Sequence, residues 1–236
     1  MYNKPCQVVI ITTDKVYENK EWLWGYREND KLRGFDPYSS SKAAVELLVS
    51  SWRNSFFKQS SNIKVATARA GNVIGGGDFK QNRIVPDVIK SLDNKKKIIL
   101  RNPNATRPWQ HVLEPLSGYL LLGHKLINQS LNTKIYPSWN FGPYKRNCKK
   151  VIQMTKLFIK EWGNKKVNVV IKKNRKFHES KLLSLNISKA KKELNWEPKL
   201  SLDETVYFTV SWYKNFLSEE NVEETTNSQI EYFINK

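Results

Sequence analysis

Tyr38 and Lys42 stand four residues apart in Tyr38-Ser-Ser-Ser-Lys42. On a helix that spacing puts both side chains on one face, with their Cβ atoms about 5–6 Å apart. An ammonium beside a phenol favours the phenolate, which makes the tyrosine a usable base near neutral pH. Taken alone, the pattern also fits an ordinary exposed helix pair. A second group narrows the choice: Thr13-Asp14-Lys15 follows directly on the β-branched run Gln7-Val-Val-Ile-Ile11. Open α/β sheets carry their chemistry at the carboxyl ends of such strands. A hydroxyl, a carboxylate, an amine and an activatable phenol are thereby expected around one crevice. An Asx-type turn is the plain alternative for Thr-Asp-Lys, but it does not account for both groups at once.

These residues need elements to hold them. Continuous apolar runs predict buried strands at 7–11, 65–69, 97–101, 138–141 and 167–172. Helical spacing predicts helices at 39–57, 84–92, 114–128, 150–162, 188–195 and 202–217. Residues 18–37 carry Trp22, Trp24, Gly25 and Gly34 without a helical period, and read as a long functional loop. The polar, acidic residues 219–236 read as a loosely attached tail. Alternating strands and helices mean an α/β fold with a parallel sheet.

The arrangement resembles the extended short-chain dehydrogenase/reductases, and within them the nucleotide-sugar 4,6-dehydratases, most closely the CDP-glucose type. The segments that carry the resemblance are Thr13–Asn29, Asp36–Lys42, Arg69–Asp78, Arg83–Asp87, Arg107–Leu116 and Trp139–Pro143. It implies a Rossmann-like sheet over 1–75 and 110–145, interleaved with a smaller α/β substrate lobe over 76–109 and 146–218. It also implies NAD as cofactor, CDP-glucose or a related nucleotide sugar as substrate, and a homodimer through helices 39–57 and 114–128. By family role, Tyr38 is the base for the sugar 4-hydroxyl and Lys42 lowers its pKa and holds the cofactor ribose. Thr13 binds the same hydroxyl, and Asp14 protonates the departing 6-hydroxyl. Lys15 stands where dTDP-glucose relatives carry a glutamate as carbon-5 base. Asn72, Arg83, Arg107, Asn140 and His178 are the implied substrate contacts, with surface salt bridges the plain alternative for the two arginines and a capping role for His178.

Family members carry the Gly-rich dinucleotide fingerprint ahead of the Thr-Asp-Lys strand. The turn Gly71-Asn-Val-Ile-Gly-Gly-Gly-Asp78 is neither that fingerprint nor a P-loop. The expectation is therefore the C-terminal portion of a dehydratase, with weak NAD binding and low stability unless a separate N-terminal half is supplied. Two rival functions stay open: another nucleotide-sugar dehydratase or epimerase, and a catalytically dead fragment serving as a binding or dimerisation module.

Composition narrows the remaining classes. The 236 residues carry Lys+Arg 40 against Asp+Glu 22, a net charge of +18. Lysine supplies most of it, whereas arginine is the residue that reads bases and phosphates bidentately, so a nucleic-acid partner is not expected. No apolar run approaches the roughly 18 residues of a membrane span, and the amino terminus lacks a signal-peptide pattern. Two cysteines and three scattered histidines make neither a disulfide framework nor a metal site. The expected location is the cytoplasm.

Overall fold

The computed structural model describes residues 4–57, 62–128, 137–163, 167–172 and 182–236. Its strands are β1 (Cys6–Ile11), β2 (Ile63–Ala70), β3 (Val73–Ile74), β4 (Ile98–Leu100), β5 (Thr106–Pro108), β6 (Gln110–His111), β7 (Ser138–Phe141), β8 (Cys148–Lys150) and β9 (Val169–Ile171). Its α-helices are α1 (Pro37–Trp52), α2 (Ile84–Asp93), α3 (Leu113–Ile127), α4 (Val151–Trp162), α5 (Leu202–Leu217) and α6 (Val222–Asn235). The described residues form two compact units: 1–71, 114–143 and 183–198 in the first, and 72–113, 144–182 and 199–236 in the second.

The first unit is built on a parallel sheet of order β1-β2-β7. Ile10 pairs with Thr67 and Arg69 with Asn140. Because side chains alternate between faces along a strand, the register sorts the sheet into two surfaces. On one lie Val8, Ile10, Thr12, Thr67, Arg69, Ser138 and Asn140. There Glu46 of α1 bonds Thr12, Thr67 and Arg69. The other surface carries Val9, Trp139 and Phe141. It receives α3, whose Gly118 lies flat on the Phe141 ring and whose Gly123 sits beside Val9. So α1 and α3 cover opposite faces of the sheet.

The loop after β1 is ordered by aromatic packing rather than by regular hydrogen bonding. Tyr17 stacks on Tyr26 with ring centroids 5.1 Å apart, and Trp22 leans on Tyr26 at 5.3 Å. Single bridges tie Tyr17 to Leu32 and Tyr26 to Leu185. The helix expected over 39–57 ends at Trp52 and continues as a wider π-type turn over Arg53–Phe57. The helix expected over 188–195 closes through another π-type turn, Ala190–Leu194, ended by Asn195 at φ 57°.

The second unit pairs β3 with β6, β4 with β9, and β5 with β8. Its core gathers Leu92, Ile98, Trp109, Phe158, Val206 and Tyr213. Trp109 is fully enclosed because its indole N–H donates to the Lys149 carbonyl at 2.9 Å. Helix α5 opens on a capping box in which Ser201 and Glu204 exchange backbone bonds. The expected loose tail is instead α6. Asn221 caps it, Phe233 packs on Leu200 and Phe208, and Tyr232 and Lys236 both reach Glu204. Among the described residues no helix is long and apolar enough to cross a membrane.

His111 of β6 is 2% exposed, and burial lowers its pKa to about 4. The unfolded chain, with an ordinary histidine, binds the extra proton first, so stability falls as pH drops from about 6.5 towards 4. The loss attributable to this side chain is at most about 3 kcal/mol across that window. Urea unfolding at several pH values should show the slope between pH 6.5 and 4. In His111→Phe that part of the slope should vanish.

Candidate functional site

Chemistry in the first unit collects where β1 ends. Thr12 and Thr13 leave the strand extended, and Asp14–Val16 make one 3-10 turn. Thr13 caps that turn by accepting the Lys15 N–H at 3.4 Å and donates its hydroxyl proton to Asp14 Oδ1 at 3.1 Å. Thr13 and Asp14 are buried, whereas Lys15 is exposed. Asp14 fits only because Gly71 faces it. A Cβ on Gly71 would lie 1.9 Å from Asp14 Oδ2, far inside any real contact, so the residue following β2 must be glycine for the carboxylate to lie there.

Helix α1 begins with a firm cap. Asp36 accepts the Ser39 N–H at 3.0 Å and the Ser39 hydroxyl at 2.7 Å, with Pro37 in the first turn. Burial pushes the Asp36 carboxyl up, but the Ser39 bonds and the Lys15 charge hold it below its usual pKa. Tyr38 is 52% exposed, and Lys42, one turn on, is half-buried. Four residues advance a helix by 400°, so the row Tyr38, Lys42, Glu46 drifts about 40° per step. The row starts in solvent and ends beneath the sheet, where Glu46 is 4% exposed.

Glu46 and Arg69 are the residues that sequence reading missed. Glu46 receives Arg69 Nε and Nη2, each at 2.9 Å, as well as the hydroxyls of Thr12 at 2.5 Å and Thr67 at 2.7 Å. Arg69 Nη1 donates to the Tyr17 hydroxyl at 2.8 Å and the Glu28 carbonyl at 3.0 Å, and Nη2 also reaches Ser138 at 3.3 Å. Burial opposes charge on both partners. Their pairing overrides it, holding Glu46 below its usual pKa and Arg69 above. Thr12 adjoins Thr13, and Glu46 lies one turn beyond Lys42. The pair therefore joins the strand end that carries Thr13, Asp14 and Lys15 to the helix that carries Tyr38 and Lys42.

The other expected residues fall as follows. Asn140 is wholly buried. Its Oδ1 accepts from the Tyr17 hydroxyl at 2.7 Å, and its Nδ2 donates to the carbonyls of Tyr26 at 2.8 Å and Asn186 at 3.2 Å. With its amide committed in this way it ties the strand to the loop. Asn72, Arg83 and Arg107 belong to the second unit. Asn72 adopts φ 49°, and its carbonyl accepts the Gln110 N–H at 3.3 Å. Arg83 stands just before α2, exposed and paired with Asp78 at 3.0 Å. Arg107, in β5, is 6% exposed. His178 lies outside the described residues. Among the described residues no cluster of histidine, cysteine or carboxylate could hold a metal ion.

Gly71→Ala should displace the Asp14 carboxylate and destabilise the chain by about 1–3 kcal/mol, the usual cost of forcing atoms into a packed site. Chemical denaturation measures that loss. An unchanged midpoint would show that the strand end relaxes freely around Asp14.

Comparison with known proteins bears on this geometry. Residues 1–209 match the family model described as GDP-mannose 4,6 dehydratase. The chain is 42% identical over 219 residues to CDP-glucose 4,6-dehydratase of Salmonella typhimurium, covering 91% of this chain and 60% of that protein. It is 24% identical to dTDP-glucose 4,6-dehydratase of Haemophilus influenzae, covering 86% of this chain and 59% of that one. This chain thus spans about three fifths of the relatives' length. Among solved structures, DesIV of Streptomyces venezuelae, a dTDP-glucose 4,6-dehydratase with NAD and TYD bound, superposes with a TM-score of 0.76 at 21% identity. The match covers 91% of this chain and 62% of that one. UDP-glucuronic acid 4-epimerase of Bacillus cereus, with UDP-glucuronic acid and NAD, gives 0.73 at 20% identity over 89% and 62%. The fold is the Rossmann-type α/β fold of these enzymes, and the chain belongs to the GDP-mannose 4,6-dehydratase family.

Proposed function

We propose that this chain carries the catalytic groups of a nucleotide-sugar 4,6-dehydratase that converts CDP-glucose to CDP-4-keto-6-deoxyglucose with NAD. The observation that carries the reading is the clamp that ties the Thr13-Asp14-Lys15 turn to the Tyr38/Lys42 helix. The CDP-glucose assignment is supported by the relative at 42% identity and by lysine, not glutamate, at position 15.

The donor set suits a ribose-bearing cofactor: an exposed phenol and an ammonium share one face at the carboxyl end of a parallel strand. Tyr38 and Lys42 are the residues that would hold its ribose end. Bound NAD would supply reversible storage of a hydride, so that the overall reaction gains and loses no electrons. Tyr38, as phenolate, takes the proton of the sugar 4-hydroxyl, and the Lys42 ammonium stabilises that phenolate. Thr13 hydrogen-bonds the same hydroxyl and fixes its direction. Once carbon 4 is a ketone, the hydrogen on carbon 5 is acidic, and Lys15 is assigned to remove it as a proton. Asp14, protonated, gives its proton to the departing 6-hydroxyl, which leaves as water.

In the second unit, Arg83 and Arg107 are assigned to the nucleotide phosphates, which planar guanidinium groups bind bidentately. An exposed pair such as Arg83–Asp78 is worth only about 0–1 kcal/mol, so Asp78 is a weak competitor for a phosphate dianion. Asn72, in the same unit, is assigned to the diphosphate.

Supplied with a separate N-terminal half, NAD and CDP-glucose, the chain should yield a product lighter by one water in a mass spectrum, and dTDP-glucose should yield none. Water loss from dTDP-glucose alone would overturn the nucleotide assignment, and no turnover of either would favour a binding module. Lys15→Met should still build up reduced cofactor from CDP-glucose while losing water elimination and solvent-deuterium exchange at carbon 5. Unchanged turnover in that variant would remove Lys15 from the mechanism.

A further inference from the structure

Helices α5 and α6 of the second unit run antiparallel: Tyr232 reaches Glu204, Gln229 reaches Phe208, and Thr225 meets Asn215. Between them lies a cavity of about 680 Å³, within the size range of sites for small organic ligands. No step of the proposed reaction uses it. Its charge is out of keeping with the rest of the chain. From Asn215 to Asn235 there are five glutamates and no lysine or arginine, in a protein of net charge +18. Glu204, Glu220 and Glu224 all line the cavity.

The hydrogen-bonding groups on its walls are sorted by kind. The amide donors are committed within the protein: Asn215 Nδ2 to Thr225 at 2.8 Å, Asn221 Nδ2 to Glu224 at 3.0 Å, and Gln229 Nε2 to the Phe208 carbonyl at 2.9 Å. Acceptors are left over. Gln229 is only 9% exposed, yet its Oε1 takes no partner among the described residues and stays open on the cavity that the residue lines. Glu220 and Glu224 are exposed and pair with no lysine or arginine among the described residues. Aromatic rings supply the rest of the wall: Tyr207 is 54% exposed, and Phe208 meets the Tyr232 ring at 5.4 Å. Lys236 shows what such a wall selects. Its ammonium pairs with Glu204 and lies over the Tyr232 ring at 5.6 Å, the combination of carboxylate and π-face that favours an organic cation. It fills the Glu204 end, whereas the end that carries Glu220 and Glu224 holds no such ion.

We propose that this cavity binds a linear polyamine. One ammonium is held by Glu220 and Glu224, a second reaches Gln229 Oε1 beside the Tyr207 ring, and the methylenes between them lie against Phe208. Along α5 the stretch from Phe208 to Asn215 rises about 10 Å, a span that an extended triamine covers. The Glu220 N–H bonds the Asn215 carbonyl at 2.9 Å, which fixes that carboxylate at the far end of the stretch. Among the described residues no group of carboxylates could hold a metal ion, so these acceptors suit positive charge spread along a chain rather than concentrated at a point. The inference goes beyond the dehydratase reading and does not depend on it.

Spermidine is the probe, titrated calorimetrically into the chain at fixed ionic strength. It should bind once per chain and at least tenfold more tightly than butylamine or magnesium ion. Glu220→Gln combined with Glu224→Gln, both at exposed positions, should weaken binding at least tenfold. Glu223→Gln combined with Glu231→Gln removes the same charge outside the cavity and should leave the affinity unchanged. Tyr207→Leu should weaken binding several-fold, because it removes a π-face without altering charge. Equal losses from the two double variants would show attraction to net charge alone and overturn the proposal. The absence of saturable binding, or equal affinity for magnesium ion, would overturn it as well.

Discussion

A buried guanidinium with every donor engaged organises the first unit. Arg69 has five N–H groups, and Glu46, Tyr17, Ser138 and the Glu28 carbonyl together engage Nε, Nη1 and Nη2. Removing either partner of such a pair leaves the other charge stranded in a low dielectric, at a cost of about 3–5 kcal/mol. The pair is therefore a weak source of net stability and a strong source of specificity, since one arrangement satisfies it and displaced ones do not. The chain just after β1, helix α1, strands β2 and β7 and the aromatic loop each contribute a group to it. A sheet of three strands gains in this way a fixed relation between the turn that holds Asp14 and the helix that holds Tyr38.

The candidate catalytic side chains stand out in the sequence because their signals are local. Tyr38 and Lys42 share one helical turn, and Thr13-Asp14-Lys15 abuts an unmistakable strand. Glu46 and Arg69 were not read, because nothing local links a helix glutamate to a strand arginine 23 residues away. A faint signal existed: Glu46 interrupts the apolar positions Ala43, Leu47 and Leu48, and Arg69 closes the small apolar run Val65-Ala-Thr-Ala. A charge inside such a run has to be paired, and two of opposite sign invite pairing. Asn140 was read for its position in a motif, and its contacts with Tyr17, Tyr26 and Asn186 come from a loop whose packing no periodicity describes.

The same reasoning accounts for α6. Its composition is polar and acidic, and composition alone suggests a tail. Spacing carries the opposite message, since Val222, Thr226, Gln229 and Phe233 fall on one helical stripe behind the Asn221 cap. Gln229 donates to the Phe208 carbonyl at 2.9 Å and Phe233 fills a small apolar cluster, so a single buried aromatic and a few polar bonds suffice to dock it. The two-strand pairings of the second unit were hidden for a different reason. Strands of two or three residues, such as β3 and β6, are shorter than any alternation that could announce them.

The account stands or falls on the Glu46–Arg69 pair acting as one unit. The direct measurement is a double-mutant cycle by urea denaturation, with Glu46→Gln, Arg69→Met and the combined variant. Each single substitution should cost about 3–5 kcal/mol, and the double should cost no more than either alone. Additive losses would show two independent side chains, and would contradict the claim that this pair holds the strand end and the Tyr38 helix together.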